Sequence, residues 1–284
     1  CDVIRNLSGM WQILFKDKYV RYFDVPQNYQ DSVGGNYYIH EMQVLRDDLG
    51  RIAGKPVSDD ALRASIRIYN ENRRAIQALY KYRSAKPWQA PTAEVYLVLR
   101  AGMLLPVEEH TLLVREYIAA TDAVARPLRD NARIVLTGAF CEQPPLSLIK
   151  SIEMAGCYIV DDDFMLVMRM LFDDVVETGD PLEELSKSFL HRSIQTSSKY
   201  DEFKKDKGKY LLDSTKLNAG EGVIFAAPSF CDPALLERPM LQSVLTEHKI
   251  PYTAFKYAEN TGQMAPIREQ AGTFADSIKL WSAA

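Results

Sequence analysis

Two cysteine–aspartate pairs, Cys1-Asp2 and Cys231-Asp232, carry most of the chemistry this chain displays. Phe230-Cys231-Asp232-Pro233 comes just after an apolar run, Gly222 to Ala227, and Pro233 suits the first turn of a helix. Cys1-Asp2 runs straight into a helical pattern. Both thiols stand where a strand would hand over to a helix, which is where open α/β sheets build their sites. A thiol at a helix N-terminus ionises more readily, and the thiolate is the form that binds metal. The plain alternative for Cys231 is a small buried hydrophobe, as free cysteine often is. The adjacent Asp232 argues against simple burial, because an ionised carboxylate needs water or a partner.

The other candidates are weaker. Cys141 lies in the loop Gly138–Pro145 and reads equally well as a plain loop thiol or as a neighbour of the same crevice; Cys157 opens a strand at the opposite sheet edge and reads as core. Asp161-Asp162-Asp163 close a strand at the edge where sites form. They could hold Mg²⁺ or serve as caps and anchors, and Arg169 is placed to neutralise one of them or meet an anionic ligand. Asp162, Gln263 and Arg268 are candidate surroundings of a substrate or cofactor, Gln263 by orienting polar groups and Arg268 by pairing with a carboxylate or phosphate. For Arg268 a solvent-facing position is the simpler reading.

The elements that must position these residues follow from periodicity. Residues 3–18 have helical spacing, and Tyr19–Pro26 is rich in β-branched and aromatic residues, predicting a strand. Helices are predicted over Tyr37–Ala53, Ser58–Tyr82 with Ser58 as its cap, Ala93–Ala101 and Pro106–Ala125. Arg133–Thr137, helix Leu146–Ala155 and Tyr158–Val160 make a βαβ unit, with Gly156 as the helix C′ residue. Residues 196–216 read as an exposed helix or connection. Strand 222–227, helix Pro233–His248, strand Thr253–Tyr257 and helix Ile267–Leu280 complete the chain. The expected fold class is α/β, with two doubly wound Rossmann-like domains, the first only partly present. Residues 1–36 form the C-terminal part of that domain, 37–130 a helical segment, and 131–284 the second domain. The chain begins with Cys, and residues 1–15 read as the second half of a βα unit, so a further N-terminal part is expected upstream of Cys1.

Bulk properties exclude several classes. The chain has 284 residues, 47% hydrophobic and 25% charged, with a formal net charge of −4, which gives no nucleic-acid footprint. No apolar run approaches the roughly 18 residues of a membrane span, and no secretory signal is visible, so a cytoplasmic location is expected. Four scattered cysteines without a CxxC pair suit neither a disulfide framework nor a zinc finger. No GxGxxG, GxxxxGK[ST] or GxSxG stretch occurs, so any ATP chemistry must sit on another chain.

Taken together, Cys1-Asp2-Val3-Ile4-Arg5, Gly156 with Val160-Asp161-Asp162, Val223-Ile224 running to Phe230-Cys231-Asp232-Pro233, and Gly262-Gln263 with Arg268 resemble the benzoyl-CoA reductase and 2-hydroxyacyl-CoA dehydratase family, in that order and over essentially the whole chain. The stretch Glu259–Phe274 looks closest to the gamma (C) branch among its aromatic-ring-reducing members. The resemblance implies a [4Fe-4S] cluster bound by three cysteines between two α/β domains. Cys1 and Cys231 match two of the ligands, and the third would lie upstream of Cys1. It also implies a homologous cluster-bearing partner subunit, an ATP- and Mg-using iron–sulfur activator fed by reduced ferredoxin, and an acyl-CoA substrate. The implied reaction is one-electron reduction of the ring of benzoyl-CoA to a cyclohexadiene-carbonyl-CoA. The alternatives are a 2-hydroxyacyl-CoA dehydratase subunit, or a partner that relays electrons without binding substrate.

Overall fold

A computed structural model describes residues 2–138, 144–163, 166–193, 208–258 and 264–282. In chain order the elements are α1 (Asp2–Leu14), α2 (Asn36–Ala53), α3 (Asp59–Ala85), α4 (Thr92–Ala101), α5 (Val107–Asp122), β1 (Ala132–Thr137), α6 (Leu146–Met154), β2 (Cys157–Asp162), α7 (Leu166–Arg169), α8 (Pro181–Arg192), α9 (Lys209–Leu217), β3 (Gly222–Pro228), α10 (Asp232–Glu247), β4 (Tyr252–Tyr257) and α11 (Met264–Ser282). A π-helical turn, Asp31–Gly35, leads into α2. Among the described residues no helix is long and apolar enough to cross a membrane.

The fold is α/β. Its four strands form one parallel sheet in the order β2-β1-β3-β4. They read as near-continuous apolar runs because both faces of a parallel sheet are covered, and every residue of β3 is buried. On one face Ile134, Leu136, Cys157, Ile159 and Ile224 pack with α6 and α11; on the other Val135, Val160, Val223 and Phe225 pack with α9 and α10. The first core continues without a break into the helices through Ile76, Leu79, Val95, Tyr96 and Leu99. Connections leave β1 for β2 on one side while β3 and β4 lie on the other, so the topological switch point falls between β1 and β3. Ligand crevices of open α/β sheets form at the carboxyl ends of such strands.

Local signals explain most boundaries. Ser58 caps α3 by accepting from the Ala61 amide at 3.2 Å, and Gly156 takes φ +90° after α6. Tyr19–Pro26 corrects the sequence reading. It belongs to no strand among the described residues. Its side chains instead lie along α2, with Tyr19 Oη donating to Asp48 at 2.7 Å, Arg21 paired with Glu41 at 3.0 Å, and Phe23 against Tyr38. β-Branched and aromatic composition favours extended backbone, but only a neighbouring strand completes a ladder. Helix α8 was not anticipated, although Asp180 caps it by accepting from the Leu182 and Glu183 amides at 2.9 and 3.0 Å, and Pro181 occupies its first position.

Candidate redox site at the sheet's switch point

β3 ends at Pro228 and α10 begins at Asp232, leaving Cys231 as the helix N-cap with non-helical φ −88° and ψ 80°. The turn is held by backbone bonds. Ser229 donates its amide and its hydroxyl to the Tyr257 carbonyl at 2.8 and 2.9 Å, tying the ends of β3 and β4 together. The Cys231 amide donates to Pro228 O at 3.0 Å, and Cys231 O accepts from the Leu235 amide at 3.1 Å. With both backbone groups fixed, the position from which the thiol projects is set. Pro233 in the first helical turn lacks only an N–H that has no intrahelical acceptor there.

Cys231 is 5% exposed and packs with Ala227, Ala234 and Leu235. Cys231 makes no side-chain cap bond to α10. Its neighbours are apolar, and the N-terminal, positive end of α10 lies at this turn. The adjoining strand end is tight as well. Gly138, at φ +105°, brings its backbone so close to β3 that a Cβ would meet Ala226 O at 3.2 Å. Phe230, immediately before the cysteine, is 88% exposed.

The three aspartates at the end of β2 are arranged differently. A register shift between Ile134 and Val135 of β1 marks a bulge in the β1–β2 pairing. Such a shift changes which face successive side chains meet. Val160 packs with the α9 side of the sheet, and Asp161 accepts from Ser214 Oγ of α9 at 2.5 Å and from Arg169 at 3.0 Å. Asp162 turns to α3, where Arg83 Nη1 donates to it at 2.6 Å and Tyr80 Oη at 3.1 Å. Asp163 accepts from Thr137 Oγ1 at 3.1 Å and from the Gly138 amide at 2.8 Å. Arg169 also lies over the Tyr80 ring, 3.4 Å from its centroid. Burial, helped by the Asp162 charge, raises the Tyr80 phenol far above its ordinary value. For Arg169 burial acts to lower the pKa, but the facing Tyr80, Asp161 and Asp162 outweigh it and the guanidinium stays charged.

Asp162 is therefore engaged by protein partners within the fold. Arg268 is exposed on α11, and Cys1, Cys141 and Gln263 lie outside the described residues. Cys157 is fully buried, its thiol within 3.9 Å of Ala271 O and pushed up to about 12 by burial, as a core cysteine would be. Among the described residues no three His, Cys, Asp or Glu side chains gather as a metal-binding group. The residues the sequence reading missed are Tyr80 and Arg83. A signal was present, since Arg83 continues the apolar stripe Ile76–Leu79–Tyr80 of α3, and a basic residue at a core position demands a buried acid.

The family model for the 2-hydroxyglutaryl-CoA dehydratase D-component matches residues 1–278. The chain belongs to that family. It is 63% identical over 282 residues to the C-type subunit of benzoyl-CoA reductase from Thauera aromatica, covering 99% of this chain and 73% of the relative. Lactoyl-CoA dehydratase subunit beta of Anaerotignum propionicum is 25% identical over 279 residues, covering 98% and 73%. (R)-2-Hydroxyglutaryl-CoA dehydratase subunit beta of Acidaminococcus fermentans is 25% identical over 281 residues, covering 98% and 74%. The D-component family thus includes both a reductase subunit and dehydratase subunits, and all three names describe subunits of larger enzymes.

Proposed function

We propose that this chain is a subunit of an ATP-dependent benzoyl-CoA reductase, in which Cys231 and Cys1 are ligands of a [4Fe-4S] cluster. The observation that carries the reading is Cys231 at the N-cap of α10, beside the switch point, among small apolar neighbours. The identity to the Thauera reductase subunit favours reduction over dehydration. The donor set fits the group in kind, because soft thiolates suit iron–sulfur clusters and a helix N-terminus compensates negative charge.

A cluster held there supplies one-electron transfer, at a potential governed by ligation, hydrogen bonds and burial. This chain's own residues anchor and shield. The Ser229–Tyr257 bonds fix the turn, Ala227 and Ala234 keep the sulfur's surroundings dry, and Asp163 holds Gly138 at the neighbouring strand end. The chain carries no phosphate loop, so ATP and Mg²⁺ are used by a separate iron–sulfur activator, fed by reduced ferredoxin. The enzyme is completed by a homologous cluster-bearing subunit, an acyl-CoA is the substrate, and the assembly works in the cytoplasm.

The test is Cys231→Ser in the complete complex, purified without oxygen. The expected result is lower iron content, loss of the cluster's paramagnetic resonance signal, and activity down at least tenfold. Full iron and full activity would remove Cys231 from the ligand set. Product analysis separates the second reading, supported by the dehydratase relatives. A cyclohexadiene thioester formed with stoichiometric electrons marks a reductase, and an enoyl thioester formed without net electron consumption marks a dehydratase.

A further inference from the structure

A groove of about 890 Å³ runs between α3 and α9 along β1, from Arg133 near the strand's start to Thr137 at its end. That is within the range of small-molecule sites. Its lining is mainly apolar, with Ile76, Val135, Met168, Leu211 and Phe172 contributing, and Leu217 stands at the rim, 86% exposed. Of its lining only Asp163, at the far end, enters the redox reading, through its bond to Gly138.

The charges along the groove are unequally committed. Asp161 is paired with Arg169, Asp162 with Arg83, and Asp213 with Lys209. Asp163 sits at the far end, on Thr137 and Gly138. Three lining cations, Arg73, Lys81 and Arg133, form no ion pair among the described residues. Arg133 donates its guanidinium to three carbonyls, Ser84 O at 2.7 Å, Asn218 O at 2.8 Å and Ala219 O at 2.9 Å, while Glu221 accepts its backbone amide. Arg73 feels Asp174 nearby, and Asp174 is itself paired with Arg74. Lys81 is exposed on the same face of α3 as Arg73, eight residues on. The end of the groove at Lys81 and Arg133 is therefore the electropositive one, and the apolar wall leads away from it.

We infer that this groove binds a linear anionic amphiphile, with a carboxylate or phosphate head at Lys81 and Arg133 and an apolar arm lying along Val135, Leu211 and Phe172. The span from Lys81 to Arg73 is about 12 Å along the helix, close to the length of an extended decanoyl chain. Head and arm make separate contributions, so removing either from the ligand weakens binding.

The experiment is calorimetric titration of the complete enzyme with decanoate, with decanol and inorganic phosphate as the two half-ligands. Saturable decanoate binding is expected, at least tenfold tighter than either half-ligand. Lys81→Gln should weaken it at least tenfold, and Leu217→Glu, which sets a carboxylate at the rim, should do the same. Both positions are exposed, so the fold is retained. Absence of saturable decanoate binding overturns the site, as does affinity unchanged in both variants. Decanol binding as tightly as decanoate overturns the role of the cations, and phosphate binding as tightly overturns the role of the arm.

Discussion

The carboxyl ends of β2 and β3 belong to one sheet and are built in opposite ways. At β2 three consecutive acids are each answered by protein. Asp161 meets Arg169 and Ser214, Asp162 meets Arg83 and Tyr80, and Asp163 meets Thr137 and Gly138. At β3 the turn is held by backbone and one serine, and a buried thiol packs among alanines with an exposed phenylalanine beside it. Charge marks the end that braces helices, and apolar packing around a thiol marks the other. The acidic run is the louder signal in the sequence, and the fold commits all of it to protein partners.

The comparison breaks most severely at Asp162. Arg83 and Asp162 are 1% and 2% exposed, and Arg83 Nε and Nη2 are buried without a hydrogen-bond partner among the described residues. Asp162→Asn leaves that guanidinium unopposed and should cost about 3–5 kcal/mol, read as a lower melting temperature. Iron per folded molecule should stay unchanged, because the β3 end is untouched. Loss of iron in step with Cys231→Ser would show that the two ends are one site. The double change Arg83→Met with Asp162→Leu sharpens the point. Since the pair is imperfectly satisfied, well-packed apolar replacements should recover most of the loss, leaving about 1 kcal/mol for the stranded Tyr80 hydroxyl.

What the sequence made legible follows from the range of the interactions involved. Strands 133–137 and 222–227 were readable because buried parallel strands are local apolar runs, and Ser58 and Gly156 because caps act within a few residues. Asp162's partners lie on α3, 79 and 82 residues away, so the acid was seen and its neutralisation was not. Tyr19–Pro26 failed for the same reason, since the existence of a strand depends on a neighbour that local composition does not report. Helix α8 had a local signal in Asp180-Pro181, but its apolar stripe is short. The place of Cys231 between a strand and a helix was legible from local pattern, whereas the fixing of its turn by Tyr257 is a tertiary fact.

α5 carries a neutral anchor against α3, and pH distinguishes it from the charged one. His110 is buried, with Nδ1 accepting from Asn72 Nδ2 at 2.9 Å and Nε2 donating to Val98 O at 3.0 Å. Burial holds its pKa below the ordinary 6.5. The folded protein therefore resists a proton that the unfolded chain accepts. Its contribution is full above about pH 6.5 and declines as pH falls through the folded-state value. Melting temperature should drop with acidification over that window, and His110→Gln should flatten the slope there. An unchanged slope would mean that the carboxylate pairs alone set the acid response.

The smallest effect belongs to Phe230. At 88% exposure its ring gains almost nothing from the fold, so Phe230→Ala should change the stability of the chain by less than about 0.5 kcal/mol. Asp162→Asn at the other strand end should cost several times that. The contrast holds only while Phe230 is solvent-facing. If the β3 end is covered by another protein of the assembled enzyme, burial of the ring is worth about 1.5–3 kcal/mol. The same substitution would then weaken subunit association roughly ten- to hundredfold, while the Asp162 change would leave it alone. Sedimentation of the complex at a series of dilutions reads that difference. Association unchanged by Phe230→Ala would leave the ring a bystander beside the thiol.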